Sequence, residues 1–178
     1  VNTVAWEAQP SVSADGRWLY FCSSRTGTLG GMDLWVSEIT QPEKNVFRFS
    51  EPKNLGDKVN TSLDDFSPFI HANGHTLYFA SKGWPRLGQA DLFMTELGDN
   101  QPKWPQNLGL GINTRADEFG FTISTTGAHA YFSSDRDGTR DLYEFIPDAR
   151  ILAKPVSFLK GFVRNAKNLK HLDAKVEI

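Results

Sequence analysis

The sequence predicts an all-β protein: a partial β-propeller of three four-stranded blades, followed by the opening hairpin of a different β domain. Three observations lead to this prediction. The chain contains three copies of one repeat, each copy has a Gly-containing hairpin turn, and the strand after that turn is strongly apolar. No window of about ten or more residues shows helical periodicity.

The three copies align at fixed offsets. Gly74 lies 58 residues after Gly16, and Gly127 lies 53 residues after Gly74. Two further sets of residues recur at equivalent positions. One set is Tyr20, Tyr78 and Tyr131; the other is Asp33, Asp91 and Asp141, of which Asp141 comes after a shorter loop. The predicted blades cover approximately 1–58, 59–111 and 112–147 of a propeller region 1–147.

Each copy is interpreted as four short strands. The first strands are Ala8–Ser13, Phe66–His71 and Phe119–Ser124. A turn ending in Gly16, Gly74 or Gly127 follows, because Gly tolerates positive φ in a tight hairpin. The second strands are Trp18–Ser23, Thr76–Ser81 and His129–Ser134, and the third are Asp33–Ile39, Asp91–Leu97 and Asp141–Ile146. The fourth strand is predicted at Val46–Phe49, with a weaker counterpart near Lys103–Gln106.

The second strands decide between two β architectures. They are apolar on both faces, as in the Leu-Tyr-Phe run that ends at Phe79, so both faces of the sheet are expected to be covered. Blades stacked face to face explain this pattern, whereas a two-sheet sandwich would show alternation and no period. Because closed propellers have about 4–8 blades, we expect further blades to precede Val1.

The repeat stops after Ile146. Residues 148–155 are predicted to be a linker, and 156–178 the start of a further β domain. Within it, Val156–Arg164 is predicted as a strand, Asn165–Lys170 as a polar turn and Ala174–Ile178 as a second strand.

Composition excludes several functional classes. Lys and Arg number 19 and Asp and Glu 21, for a net charge of −2, which gives no basic footprint for nucleic acid. No run approaches the roughly 20 apolar residues of a membrane-spanning helix. The single Cys excludes an internal disulfide framework.

The repeats, together with the Asn-Leu-Gly elements at Asn54 and Asn107, resemble the TolB-type, WD-repeat-like propeller repeats of Bacteroidetes OmpA-family envelope proteins, including the PorE-like group of the type IX secretion system. The tail from Leu159 is similar to the start of a carboxypeptidase-regulatory-like β-sandwich, truncated at Ile178. Gly120-Phe121 departs from the Ser67-Pro68 of the second copy.

The resemblance implies a non-enzymatic scaffold in the periplasm, associated with the outer membrane, whose partners are other envelope proteins. Peptidoglycan would be reached only through a domain that this chain does not contain. The alternative is a glycan-active or glycan-binding propeller, which would need two carboxylates converging in one pocket. A third interpretation, the gating propeller of a peptidase, would need a hydrolase domain downstream.

The candidate binding residues are Trp84 and Arg86, in the long loop of the second copy, which is expected to be exposed. The repeated Gly, Asp and Tyr residues are interpreted as structural, because a catalytic group is rarely present in triplicate. Each repeated Asp could accept backbone N–H bonds or pair with Arg25 or Arg136. The acids Glu7, Asp64, Asp65, Asp117 and Glu118 could form a ring at one channel mouth, and five Trp residues could stack on a sugar.

No catalytic residue, metal site or cofactor is predicted. His71 and His75 flank a hairpin turn and are not on one helical face. Cys22 takes a position held by Ala80 and Ser133, as expected of a small buried residue.

Overall fold

The fold is all-β and is described by a computed structural model that covers residues 1–98, 101–157 and 162–172. It contains twelve strands. They are β1 Glu7–Val12, β2 Trp18–Ser23, β3 Asp33–Glu43, β4 Val46–Phe49, β5 Lys53–Asn54, β6 Asp65–Ile70, β7 Thr76–Ser81, β8 Asp91–Glu96, β9 Gln106–Asn107, β10 Glu118–Ile123, β11 Ala130–Ser134 and β12 Asp141–Phe145. No described segment forms a helix long and apolar enough to cross a bilayer.

The strands form three antiparallel sheets, one for each repeat. The first has the order β1-β2-β3-β4, with β5 also pairing with β3, the second is β6-β7-β8-β9, and the third is β10-β11-β12. Registers repeat: Tyr20 lies opposite Val36, Tyr78 opposite Met94 and Tyr131 opposite Glu144. This confirms the prediction of three successive antiparallel sheets.

The prediction of the fourth strand was only partly correct. β4 pairs with an extension of β3 that the other copies lack, since Ile39 lies opposite Phe49. The strand that recurs is the two-residue β5, where Asn54 lies opposite Trp35, and its counterpart β9, where Asn107 lies opposite Phe93. Among the described residues the third sheet has three strands.

The first strand of every sheet carries a β-bulge at the same position, where the register shifts. The bulged residues have positive φ: 54° at Gln9, 51° at Ser67 and 65° at Gly120. This backbone conformation strains residues with a Cβ, and Gly adopts it freely. The departure at Gly120 therefore places the best-suited residue at the bulge. Gly16, Gly74 and Gly127 also have positive φ, as their hairpin turns require.

Two hydrophobic clusters join the sheets. The first interface, between sheets one and two, contains Tyr20, Leu34, Ile70, Leu77 and Phe79 among its buried residues. The second interface, between sheets two and three, contains Tyr78, Leu92, Phe121, Ile123 and Phe132. Alternate residues of β7 thus enter opposite interfaces, which explains why that strand is apolar on both faces.

Tyr131 departs from the expected equivalence of the three tyrosines. Tyr20 and Tyr78 are 7% and 0% exposed, whereas Tyr131 is 41% exposed. The register of Tyr131 is the same, but no described part of the chain covers its face of the third sheet.

The predicted linker 148–155 packs against the sheets. The Tyr78 hydroxyl donates to the Ile151 carbonyl at 2.8 Å and accepts from the Ala153 N–H at 3.0 Å. Both residues belong to the second interface. In the tail, the predicted turn lies where Asn165 N–H bonds to the Lys170 carbonyl, while most of the two predicted strands lies outside the described residues.

A buried Asp–Asn–Asn network recurs at each interface. Asp33 accepts from the Leu29 N–H at 2.7 Å and from the Asn54 amide at 2.6 Å, and Asn54 accepts from the Asn60 amide at 2.8 Å. Asn60 then accepts from the N–H of Leu34 at 2.8 Å and donates to its C=O at 3.0 Å. Asn60 lies next to Val59 at the start of the second repeat, so its side chain fastens the second repeat to the first sheet.

The second interface repeats this network within a few tenths of an ångström. Asp91 accepts from Asn107 at 2.7 Å, and Asn107 accepts from Asn113 at 2.8 Å. Asn113 accepts from the Leu92 N–H at 2.8 Å and donates to the Leu92 C=O at 2.9 Å. Asp141 differs, because it is exposed and, among the described residues, its side chain accepts a hydrogen bond only from the Thr139 hydroxyl.

Truncation of Asn113 tests the network. Asn113→Ala leaves the buried N–H and C=O of Leu92 without this partner, so we expect a loss of about 2–4 kcal/mol in the free energy of unfolding, measured with urea. Asn168→Ala, in the exposed turn of the tail, is the control and should cost less than about 1 kcal/mol. Equal effects of the two variants would contradict a fastening role for Asn113.

Candidate functional site

Trp84, the first candidate binding residue, is half-buried instead of fully exposed. Its indole Nε1 donates to the Val59 carbonyl at 2.9 Å, and its ring packs against the first interface. Part of this side chain therefore stabilises the fold.

Trp84 takes the role that Arg has in the other two copies. Arg25 Nη2 donates to the Val1 carbonyl at 2.8 Å, and Arg136 Nη2 donates to the Ile112 carbonyl at 2.5 Å. Val1, Val59 and Ile112 are the same repeat position. Each of the three side chains thus ties the start of its repeat to the loop after the second strand.

The exposed part of Trp84 belongs to an aromatic surface. Its ring meets that of Trp104 edge to face, with centroids 5.6 Å apart. Trp104 is 65% exposed, and Lys58 Nζ lies 5.9 Å from its ring centroid. We call Trp84, Trp104 and Lys58 the tryptophan surface. Exposed tryptophan rings are enriched at protein-binding surfaces.

Arg86, the second candidate, is exposed on the same loop as Trp84. Its Nε donates to the Gly88 carbonyl at 3.0 Å, which fixes the start of the side chain. The loop itself is held because the Leu87 and Gly88 N–H groups donate to Asp91 at 2.7 and 3.0 Å. Arg86 is therefore presented by a supported loop.

The repeated acids at the starts of the first strands are engaged by their own loops. Glu7 accepts from the Thr3 hydroxyl at 2.5 Å, Asp65 from the Thr61 hydroxyl at 2.9 Å, and Glu118 from the Thr114 hydroxyl at 2.6 Å. Glu7 and Glu118 also pair with Arg25 and Arg136, each at 3.3 Å. The two arginines thus pair with these acids and not with the repeated Asp33 and Asp141.

Asp65 has no ion pair among the described residues, because Gly83 stands at the position of Arg25 and Arg136 and the adjacent Trp84 carries no charge. Asp65 is fully buried, and its Oδ1 has no hydrogen-bond partner among the described residues. Burial raises the pKa of Asp65 to about 6, against the lowering effect of hydrogen bonds from Ser81 and Thr61. The second repeat therefore has both the tryptophan surface and a buried carboxyl group whose pKa is raised to about 6.

A cleft lies where one end of all three sheets meets. It encloses about 230 Å³ and is lined by Trp6, Gln9, Met32, Phe66, Lys82, Asp117, Phe119 and Arg140. Lys82 Nζ is 5.8 Å from the Phe66 ring centroid, and the Arg140 guanidinium is 5.4 Å from that of Phe119. Lys82 also pairs with Asp64 at 3.1 Å.

The lining of this cleft bears on the enzymatic alternative. It contains one carboxylate, Asp117, whereas glycosidases that use a pair need two acids flanking the scissile bond. The cleft is suited to binding through aromatic rings and cations. Sequence reasoning missed Lys58, Lys82 and Arg140, because each contacts a ring that is distant along the chain and comes near only in the folded sheets.

The remaining candidates are structural in their surroundings. His71 is buried, its Nδ1 accepts from the Asn73 N–H at 3.2 Å, and burial lowers its pKa. Cys22 is buried with its Sγ 3.1 Å from Gln9 Oε1, and burial raises its pKa to about 11. Within the described ranges no three His, Cys, Asp or Glu side chains are grouped to hold a metal ion.

Comparison with solved structures identifies the fold. The chain is similar to TolB from Acinetobacter baumannii, at 12% identity and a TM-score of 0.51, over 82% of this chain and 31% of that chain. It also matches a structure described as a TolB protein from Agrobacterium tumefaciens, at 14% identity and a TM-score of 0.45, over 75% of this chain and 39% of that chain. A puromycin-hydrolyzing peptidase from Mycobacterium tuberculosis matches at 14% identity and a TM-score of 0.46, over 79% of this chain and 22% of that chain.

Neither a family model nor a curated protein matches the sequence. The chain spans about a third of the length of the Acinetobacter TolB. Together with the three antiparallel sheets, that likeness shows a partial, TolB-like β-propeller.

The titration of Asp65 gives a pH-dependence with a defined sign. Its pKa of about 6 in the folded protein exceeds the unfolded value of about 3.9, so between these pH values the folded state binds the extra proton. The free energy of unfolding therefore falls as pH rises through this window. Asp65→Asn removes the effect, so from pH 4 to pH 7 its free energy of unfolding relative to that of the wild type should rise by roughly 2 kcal/mol.

Urea unfolding of both proteins at several pH values measures this difference. Asp64→Asn is the neighbouring control; it removes only the partly exposed ion pair with Lys82, so its difference from the wild type should vary by less than about 1 kcal/mol. A stability difference for Asp65→Asn that is the same at every pH would contradict the assignment.

Proposed function

We propose that the chain is a non-enzymatic docking module of the bacterial cell envelope. In this proposal the stacked sheets are a rigid support, and the loops of the second repeat bind another envelope protein. The observation that carries the proposal is the tryptophan surface: Trp104 is largely exposed, yet it is supported by Trp84, which is anchored to the Val59 carbonyl. Preorganised aromatic groups of this kind dominate binding energy at protein interfaces.

The finer proposal follows the sequence resemblance. The module belongs to a periplasmic, outer-membrane-associated protein of the OmpA family, PorE-like and linked to type IX secretion. It would reach peptidoglycan through a domain outside this chain. We propose the division into blades 1–147, a connecting segment 148–155 and a carboxypeptidase-regulatory-like domain from 156, with Ile151 and Ala153 packed on the blades.

The second candidate function is glycan binding. The exposed face of Trp104 is the observation that favours it, because indole rings also stack on sugar rings. Both candidates use the same surface, so one set of variants tests them.

Trp104→Ala and Arg86→Glu test the docking surface. Both residues are exposed, so folding should be unchanged, whereas capture of a partner from solubilised Bacteroidetes envelope proteins should fall. Loss of an aromatic anchor costs about 2 kcal/mol, or roughly 30-fold in affinity. The measurement is quantitative pull-down by the immobilised chain, followed by titration with the recovered protein.

Phe47→Asp is the matched control, since Phe47 is an exposed aromatic residue on the unrepeated β3–β4 hairpin. Recovery of the same partner at wild-type levels by Trp104→Ala would refute docking at this surface. Quenching of tryptophan fluorescence by soluble peptidoglycan fragments, lost in Trp104→Ala, would select the glycan candidate.

A further inference from the structure

The cleft at the end of the three sheets is lined by side chains that do not follow the repeat. Met32 and Arg140 hold equivalent positions, one residue before the repeated Asp, and Trp6 and Asp117 hold another pair of equivalent positions. All four line the cleft, where they present different chemistry. A device that fastens sheet to sheet recurs from copy to copy, as the Asp–Asn–Asn network does at both interfaces. The lining of the cleft is therefore better explained by recognition of a ligand.

Asp117 is an acid without the cation that its counterpart has. In the second copy the equivalent Asp64 pairs with Lys82 at 3.1 Å. Asp135 stands at the position of Lys82 in the third copy, and its Oδ1 accepts from the Asp117 N–H at 2.9 Å. The Asp117 Oδ1 is buried and has no hydrogen-bond partner among the described residues. Because an unpaired buried carboxylate oxygen raises the free energy of the protein, a bound ammonium group would stabilise Asp117.

Arg140 presents a cation to the same cleft. Its guanidinium carbon lies 5.4 Å from the Phe119 ring centroid, and among the described residues the group forms no ion pair. A guanidinium offers five N–H donors in a planar fork that fits a carboxylate. Arg140 and Asp117 do not pair with each other, so the cleft offers one group of each sign to a ligand.

The other cation of the lining is already neutralised. Lys82 forms its ion pair with Asp64, and its Nζ lies 5.8 Å from the Phe66 ring centroid. Arg140 and Asp117 therefore set the charge that a ligand meets. A ligand with a carboxylate alone would face Asp117 without a counter-charge, and an amine alone would face Arg140 in the same way. A zwitterion satisfies both groups.

Aromatic rings and a small volume define the rest of the ligand. The rings of Phe66 and Phe119 have centroids 6.4 Å apart, and Trp6, which also lines the cleft, is 51% exposed. The cleft encloses about 230 Å³, which is below the roughly 300–1,000 Å³ of pockets for drug-sized ligands. The ligand is therefore small and has an apolar body.

We propose that the cleft binds an α-amino acid with a large apolar side chain. The carboxylate of the ligand accepts from the Arg140 guanidinium, its ammonium group donates to the Asp117 carboxylate, and its side chain packs against the aromatic rings. The tryptophan surface lies outside the lining of the cleft, so this site and the docking function are independent of each other.

Isothermal titration calorimetry of the full chain with L-phenylalanine tests the proposal. Three analogues each remove one feature: 3-phenylpropionate has no ammonium group, 2-phenylethylamine has no carboxylate, and glycine has no side chain. Each should bind at least about tenfold more weakly than L-phenylalanine, because each loses a charged hydrogen bond or the burial of a ring. A dissociation constant above about 10 mM for L-phenylalanine, or equal affinity for any of the analogues, would overturn the proposal.

Two variants assign the charged groups. Arg140→Gln should remove the preference for L-phenylalanine over 2-phenylethylamine, and Asp117→Asn should remove the preference over 3-phenylpropionate. Arg48→Gln and Glu43→Gln, on the exposed β3–β4 hairpin, are the charge-matched controls and should bind L-phenylalanine like the wild type. Circular dichroism should be unchanged in all four variants, because Arg140 is exposed and the Asn side chain keeps the shape of Asp117. A variant at Arg140 or Asp117 that weakens binding of L-phenylalanine and its analogues equally would indicate a purely structural role and overturn the assignment.

Discussion

The bond between an Asn side chain at the start of one repeat and the main chain of the preceding sheet is the contact on which this structure depends. Each sheet is hydrogen-bonded within itself, and the apolar clusters between sheets are non-directional. Burial alone would therefore hold the sheets together without fixing how they are offset. Asn60 and Asn113 fix that offset, because each amide can satisfy the N–H and the C=O of one Leu only in a single alignment.

The second repeat shows how one replacement changes both stability and surface chemistry. Where the other copies have Arg25 and Arg136, this copy has Gly83, and the adjacent Trp84 makes the bond to the repeat start but carries no charge. Asp65 consequently lies buried without a cation, while the indole supports Trp104 at the surface. This difference from the other repeats lowers the free energy of unfolding at pH values above the pKa of Asp65. It also provides an aromatic surface that a guanidinium could not form.

Sequence reasoning located strands where local signals are strong. The bounds of Trp18–Ser23 and Thr76–Ser81 agree with the structure, because a Gly turn precedes each and both faces are apolar. The recurring fourth strand was missed at Asn54 and placed mostly before its observed position at Asn107, because two paired residues carry no hydrophobic pattern. Burial of Ile151 and exposure of Tyr131 depend on what packs against them, and neither the linker composition nor the repeat alignment carries that information.

Residues that recur in the repeats and residues that do not also differ in their capacity to bind a partner. Residues that recur at one repeat position, such as the acids Glu7 and Glu118, are held by hydrogen bonds and ion pairs within their own repeat and have little capacity left for a ligand. Specific recognition requires side chains that only one of the repeats presents. Trp84, Trp104 and Arg140 meet this requirement, since each stands where the other repeats have a different residue. In a repeat protein whose recurring positions fasten sheet to sheet, binding therefore depends on the residues that depart from the repeat.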